Sequence, residues 1–428
     1  KKHFTAHHEY TICTQYLSTQ CATTSTSNTN QATKTTKTTK TTSDIKPDTN
    51  LIVNSYQMTD NEYGPTKQQL NTKPQLKRDI STLDLYEKSN ETRLKKFKIN
   101  DDDSNKLNSV SEAAHKPQKF ARKNLLGHNS CVNKVEWSST NLLLSASMDK
   151  SMKIWDPFQE KLLATLNVHE GAVRDASWNA EGTRVLSGSY DKNALISDVR
   201  SETVVSRFIH ENFVTAVKWK PEDGNVFLTG SQKVVNAWDL RSDAKPVRIY
   251  PFKHGQVLDL AFLQDGSEFL CSSDFVAHDS ADKTIIAWDF KSSAMLSNQI
   301  YNERFTCPHL VVHPKGNKFV AQSNGDYIAE FSTSRPYKMN RKKRFEGHKV
   351  SGYNIGCDFN SDGRYLYSGS SDGILFCYEF RNGCLRKRIP VFGREAVLSV
   401  ACHPVWSFTL AVSSWNGKVQ ILCNNYDQ

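Results

Sequence analysis

The sequence predicts an all-β repeat fold over most of its 428 residues, behind a polar N-terminal tail. Three observations carry that expectation. From about residue 120, short runs rich in Val, Ile, Leu and Trp alternate with Gly, Asp, Asn and Ser clusters about every 8–12 residues, the pattern of many short antiparallel strands. Helical patterning is hard to find in the same region. One segment also recurs: "SASMDKSMKIWDP" (145–157) returns as "SGSYDKNALISDV" (187–199), "TGSQKVVNAWDL" (229–240), "DSADKTIIAWDF" (279–290) and "SGSSDGILFCYEF" (368–380).

Residues 1–118 have a different texture. The stretch "TTSTSNTNQATKTTKTTKTT" (23–42) has almost nothing to bury and cannot offset its ordering entropy, so a disordered Thr/Lys-rich tail is expected there. Residues 84–99 carry only sparse anchors (Leu85, Leu94, Phe97, Ile99), enough for a transient helix. A short C-terminal tail is expected over 425–428. The net charge of +10 is split, with 18 Lys+Arg against 13 Asp+Glu up to residue 120 and the remainder beyond it. That is a mild basic bias, compatible with nucleic-acid proximity. No apolar run is long enough for a membrane-spanning helix, and no membrane partner is expected. The first residues lack the apolar core of a secretory signal. Ten scattered cysteines without a Cys-x-x-Cys pair fit buried thiols better than a zinc or disulfide framework.

The repeat can be aligned on Trp155, Ser197, Trp238, Trp288, Phe331, Tyr378 and Leu422, with spacings from 41 to 50 residues. Upstream of it stands a His-containing element: Gly127-His128, Val168-His169, Ile209-His210, Lys253-His254 and Gly347-His348. A period of this length, opening with Gly-His and ending in Trp-Asp, resembles the WD40 repeat. The resemblance implies a seven-bladed WD40 β-propeller over residues 119–424, four strands to a blade. The strand near 119–126 is then expected to complete the seventh blade.

Within each blade the turn Asp (Asp149, Asp191, Asp282, Asp372) can accept from the imidazole of the Gly-His element. The imidazole can in turn meet a hydroxyl and an aromatic ring. That predicts His128, Ser145, Asp149 and Trp155 together in the first blade, and His348, Ser368 and Asp372 in the sixth. Trp238 and Trp288 take the aromatic place in the third and fourth. A buried His or Asp is costly unless hydrogen-bonded, so these residues read as structural staples and not as catalytic groups. Blade five has no Gly-His and blade seven has Asn416 at the turn, so both are expected to be soft.

No catalytic or phosphate-binding motif is present, and no cofactor or small-molecule substrate is implied. Cys307, His309 and His313 of "CPHLVVHP" fall on one face of a strand, but too far apart for one metal. The run Arg341, Lys342, Lys343 and Arg344 reads as an exposed loop before Gly347-His348, suited to nuclear import or to a sequence-blind phosphate contact. "NRKKRFEGHKVSGY" (340–353) is similar to the matching stretch of the pre-mRNA-processing splicing factor 17 family. That resemblance implies a nuclear, spliceosomal scaffold with protein partners in a multi-subunit assembly. "AWDLR" (237–241) supports a second expectation. In substrate receptors of cullin-4 ubiquitin ligases such a motif meets the adaptor, and the matching positions here are Asp239 and Arg241.

Overall fold

The computed structural model describes residues 120–424, apart from 244, 264 and 275–283. The tail expected over 1–118, its transient helix and the tail at 425–428 lie outside the described residues, as does Asp282. The described residues form 26 strands and no helix.

The chain enters through β1 (Phe120–Leu125). The strands β2 (Val132–Trp137), β3 (Leu143–Ser147), β4 (Met152–Asp156) and β5 (Lys161–Leu166) then make a four-stranded antiparallel meander. A second follows from β6 (Val173–Trp178), β7 (Arg184–Ser189), β8 (Asn193–Asp198) and β9 (Thr203–Ile209). The next sheet has six strands: β10 (Ala216–Trp219), β11 (Val226–Asp239), β12 (Arg248–Phe262), β13 (Glu268–Ser273), β14 (Ile285–Asp289) and β15 (Met295–Ser297). Its two long strands change partner midway. The start of β11 pairs with β10 and its end with β12, while β12 turns from β11 to β13 after Gln256. Two further meanders are β16 (His309–Val312) to β19 (Met339–Glu346), through β17 (Lys318–Ser323) and β18 (Tyr327–Ser332), and β20 (Cys357–Phe359) to β23 (Leu385–Pro390), through β21 (Tyr365–Ser368) and β22 (Ile374–Glu379). Last come β24 (Val397–Cys402), β25 (Leu410–Ser414) and β26 (Val419–Asn424).

This last sheet has the order β1-β26-β25-β24, so the first strand completes the sheet made by the end of the chain. Seven strands also close a cycle. β2 packs on β6, β6 on β10, β10 on β12, β12 on β16, β16 on β20, β20 on β24, and β24 on β2. An all-β ring of this kind leaves no open end between first and last sheet.

The second strand of each meander is buried on both faces. β3 (LLSAS), β7 (RVLSGS), β17 (KFVAQS) and β25 (LAVSS) show almost no exposed residue. They read as continuous apolar or small runs and not as alternating ones, because a neighbouring sheet covers each face. Small residues let those sheets approach. A Cβ on Gly188 would stand 2.8 Å from Val214, and one on Gly230 would overlap Val257, where β12 turns from β11 to β13. The six buried cysteines take part in this packing, with Cys271 and Cys357 fully inside the core.

Candidate interaction sites and the polar framework that positions them

In the first sheet, Trp155 Nε1 donates to Ser145 Oγ at 2.8 Å, and Ser145 Oγ lies 2.8 Å from His128 Nε2. His128 Nδ1 is 2.8 Å from Asp149 Oδ2. The turn carboxylate also accepts from Asn129 N and Ser151 N. Burial pushes Asp149 up, but the hydrogen bonds from His128 and Ser151 outweigh it and hold the carboxyl well below the usual range. The second sheet repeats the pattern with His169, Ser187 and Asp191, at 2.8 Å from Nδ1 to Asp191 and 2.7 Å from Nε2 to Ser187. Ser197 replaces the tryptophan there. The third sheet keeps the chain without an acid: Trp238 Nε1 donates to Thr229 Oγ1, which meets His210 Nε2, and His210 Nδ1 donates to the Phe208 carbonyl. Trp288 is buried against Tyr250, and Cys271 takes the strand position that Ser145 holds in the first sheet. Asp149→Ala strands the His128 and Ser151 donors and is expected to cost about 1–3 kcal/mol in urea unfolding. An unfolding midpoint equal to wild type would show that the chain of hydrogen bonds contributes nothing.

The sixth repeat corrects the sequence-based expectation. His348 does not reach Asp372. Its Nδ1 donates to Tyr378 OH at 2.9 Å, and its Nε2 accepts from Gln322 Nε2 at 2.6 Å. Ser368 donates to Gln322 Oε1 and not to the histidine. The reason is that Gln322, on β17 of the preceding sheet, offers both a donor and an acceptor between the two side chains. Asp372 is left to hold its own turn through Ile374 N. The fifth repeat has no His, yet it holds a polar network in its place. Tyr301 OH bonds Ser323 and Tyr327, Tyr327 bonds Glu303, and Glu303 pairs with Arg344. The expected softness of this repeat has no counterpart in its hydrogen bonding.

A second framework, which the repeat pattern does not reveal, joins sheet to sheet. Carboxylates on strands of the closed cycle accept backbone N–H groups from a strand of the next sheet around it. Asp175 accepts from Val217, Asp259 from Leu310, Asp358 from Cys402, and Glu136 from Trp178, at 2.7–3.1 Å. Ser399 closes the series by accepting from Val135. Tryptophans at the ends of these strands bond the same way: Trp137 to the Ala401 carbonyl, Trp178 to Glu136 and Trp219 to Ser177. Lys134 stands among these carboxylates. Burial works against its charge, but Asp175, then Glu136, Asp259 and Asp358, outweigh burial and push its pKa up to about 12. Asp259 also pairs with His309 Nδ1 at 2.8 Å. A signal for these residues exists in the sequence. "KVEW", "RDASW" and "LDLAF" each set one acid inside an apolar strand, a costly arrangement unless the acid is paired.

Histidines buried without a carboxylate set the response to acid. Burial lowers the pKa of His210, His348 and His403 to about 4, and lowers that of His313 as well. His313 and His403 both accept backbone N–H groups at Nδ1, from Lys315 and from Val405 and Trp406, so protonation would break a turn. For His210, His348 and His403 an unfolded chain takes up the proton near pH 6.5, whereas the native state refuses it until about pH 4. Their contribution is therefore complete above pH ~6.5 and falls as the pH drops toward ~4, by roughly 1–2 kcal/mol for each of these three at pH 5. Equal unfolding midpoints at neutral pH and at pH ~5 would contradict this assignment.

The basic run is not a loop. Arg341, Lys342, Lys343 and Arg344 lie within β19, the outermost strand of its sheet. Pairing with β18 slips between Ala329 and Phe331, and this bulge turns Arg341 and Lys342 outward. Lys343 is half-buried, pairs with Glu330 and lies 4.0 Å over the Phe380 ring, while Arg344 pairs with Glu303. Two of the four cations are therefore committed to the fold. Arg241 is exposed but folded back on Asp239, with Nε and NH2 at 2.8 and 2.7 Å from the two carboxylate oxygens. An adaptor contact through either residue would have to open that pair.

Among the described residues no group of His, Cys, Asp and Glu is arranged to hold a metal ion. The all-β sheets and their recurring polar chains are those of a WD40-type β-propeller fold. Residues 120–156, 160–198 and 339–379 match the WD40 family, described as WD domain, G-beta repeat. The chain is 42% identical to WD repeat-containing protein 25 of Mus musculus over 322 residues, covering 74% of this chain and 59% of the relative. It is 29% identical to Pre-mRNA-processing factor 17 of Homo sapiens over 301 residues, covering 69% of this chain and 50% of that one. The Saccharomyces cerevisiae protein of the same name is 28% identical over 319 residues, 73% of this chain and 68% of its own length. The chain thus spans between half and three fifths of the first two relatives.

Proposed function

We propose that this chain is a non-enzymatic scaffold of a nuclear RNA-processing assembly, acting in pre-mRNA splicing. It would form a seven-bladed ring over residues 119–424, a count supported by the seven strands that follow one another around the closed cycle. The observation that carries the functional reading is the similarity to Pre-mRNA-processing factor 17 of two organisms along about 300 residues of the chain. Surface chemistry supports it. The outer edge of several sheets exposes Leu162, Val204, Val205, Ile209 and Met295, apolar side chains that suit protein partners. Fold alone does not choose a function, so the test must identify partners.

That test is affinity purification of the tagged full chain from nuclear extract, with and without nuclease, read by mass spectrometry. Nuclease-resistant recovery of splicing proteins is the expected result. Exclusion of the protein from the nucleus would overturn the reading. Recovery of the cullin-4 adaptor without splicing proteins would favour the ligase receptor instead, and Arg241→Ala should then abolish that recovery.

A further inference from the structure

Charge is distributed unevenly around the sheets. Residues 121–299 hold 20 Lys+Arg against 22 Asp+Glu, whereas residues 300–428 hold 17 against 10. The excess gathers on three outermost strands of consecutive sheets: β19 (MNRKKRFE), β23 (LRKRIP) and β1 (FARKNL). On each of them one lysine reaches the next sheet. Lys343 lies over Phe380, Lys387 over Phe120 at 4.5 Å, and Lys123 donates to the Phe158 carbonyl. Those three hold the fold together. The outward cations are different. Arg344 and Arg386 pair with Glu303 and Glu379, but Arg341, Lys342, Arg388 and Arg122 are exposed and pair with no carboxylate among the described residues. Arg122 NH2 donates to the Pro390 carbonyl at 2.7 Å and Arg388 lies 5.7 Å over the Phe376 ring, contacts that leave both positive charges uncompensated.

Charge on an edge strand is a common guard against edge-to-edge aggregation. That explanation would apply to every outer strand, and here it does not. β5 and β9 carry one cation each, β15 carries none, and together they expose the apolar side chains named above. The basic arc is confined to three neighbouring sheets. None of its three strands exposes a large apolar side chain. A protein partner would need such an anchor, because affinity concentrates in buried aromatic and aliphatic hot spots. Three of the four cations without a carboxylate partner are arginines, whose planar guanidinium matches phosphate bidentately. Their spread over three sheets suits a polymer of phosphates better than a single anion.

We infer that the outer edges of β19, β23 and β1 form a track for the phosphate backbone of RNA, through Arg341, Lys342, Arg388 and Arg122. The inference rests on the RNA-processing reading for its choice of polymer. It predicts contact without base recognition and with a strong salt dependence.

The experiment measures binding of a fluorescein-labelled oligouridylate to the full chain by anisotropy across a salt series. The Arg341→Glu, Lys342→Glu, Arg388→Glu variant removes three of the four phosphate-binding cations. It should lower the salt slope by about 2 and weaken binding by about 100-fold near physiological salt. Arg207→Glu, a charge change on β9 outside the arc, should leave both unchanged, and matching thermal midpoints confirm that the variants fold. Equal affinity of wild type and the triple variant would overturn the track, as would an equal loss with Arg207→Glu or no binding by wild type. Competition by polyglutamate as effective as by unlabelled RNA would overturn the choice of nucleic acid. Track binding in a protein that purifies without splicing proteins would sustain the track and sink only the splicing assignment.

Discussion

Asp259→Ala is expected to be among the most destabilising single substitutions in the chain, at about 3–5 kcal/mol, the usual range for breaking a buried charge pair from one side. The carboxylate accepts Leu310 N from the next sheet at 2.7 Å and Leu260 N from its own strand at 2.8 Å, and it pairs with His309. Burial would raise its pKa, but the charge and hydrogen bond of His309, with Lys134 behind them, hold it down at about 2. Alanine leaves two N–H groups and an imidazole without an acceptor at the junction between two sheets. Asp259→Asn should lose less, because its amide oxygen can still accept from Leu310. Urea unfolding of the two variants separates the cases, and the His309→Ala, Asp259→Ala double variant should lose less than the sum of the singles. A midpoint for Asp259→Ala equal to wild type would show that the junction between these sheets does not depend on this group. The sign with pH follows from the lowered pKa. The carboxylate's contribution is present above the unfolded value near 3.9 and disappears as the pH falls toward about 2.

The sequence exposes the features that recur within one repeat and conceals those that join repeats. Trp155, Ser145, His128 and Asp149 can be read together because each strand-turn-strand unit must satisfy its own buried polar atoms, and so the same residue types return at a constant offset. Asp175, Asp259 and Asp358 answer to backbone N–H groups 42 to 51 residues away, and a backbone donor leaves no trace in residue identity. The only trace is the acid itself, placed where an apolar residue would serve. The partner of His348 is hidden for the same reason, since Gln322 arrives from the preceding sheet and replaces Asp372. Four adjacent cations disguise β19, because its strand character comes from Glu330 and Glu303 neutralising Lys343 and Arg344, and neither acid is near them in sequence. The inter-sheet acids and the partner of His348 share one source: a repeat pattern describes a single unit, whereas those side chains reach across to the next. β19 is hidden instead by pairs within its own repeat that are distant along the chain.

The strongest reach of that kind is β1. Six residues, Phe120–Leu125, pair in register with Asn424–Val419, so the sheet at the end of the chain is completed by residues about 300 positions earlier. Leu125 is 1% exposed and packs with Val132, Trp155, Val419 and Ile421, which ties the first and last repeats into one core. Asn124 accepts from Gln420 across the same pairing. In an open repeat array the terminal units fray independently, whereas here neither end can leave without opening the other. A chain beginning at residue 126 is therefore expected to lose more than any single substitution, since several backbone pairs at about 1 kcal/mol each vanish together with the burial of Leu125. It should unfold at a much lower temperature than a chain beginning at residue 119. Amide exchange should also become fast in β24, β25 and β26 while β6 to β9 stay protected. Leu125→Ala isolates the packing share, at about 2–5 kcal/mol, without removing the strand. If the chain lacking β1 kept full protection in β26, closure would lie in the packing of the inner strands alone, and the outer strand would have no part in it.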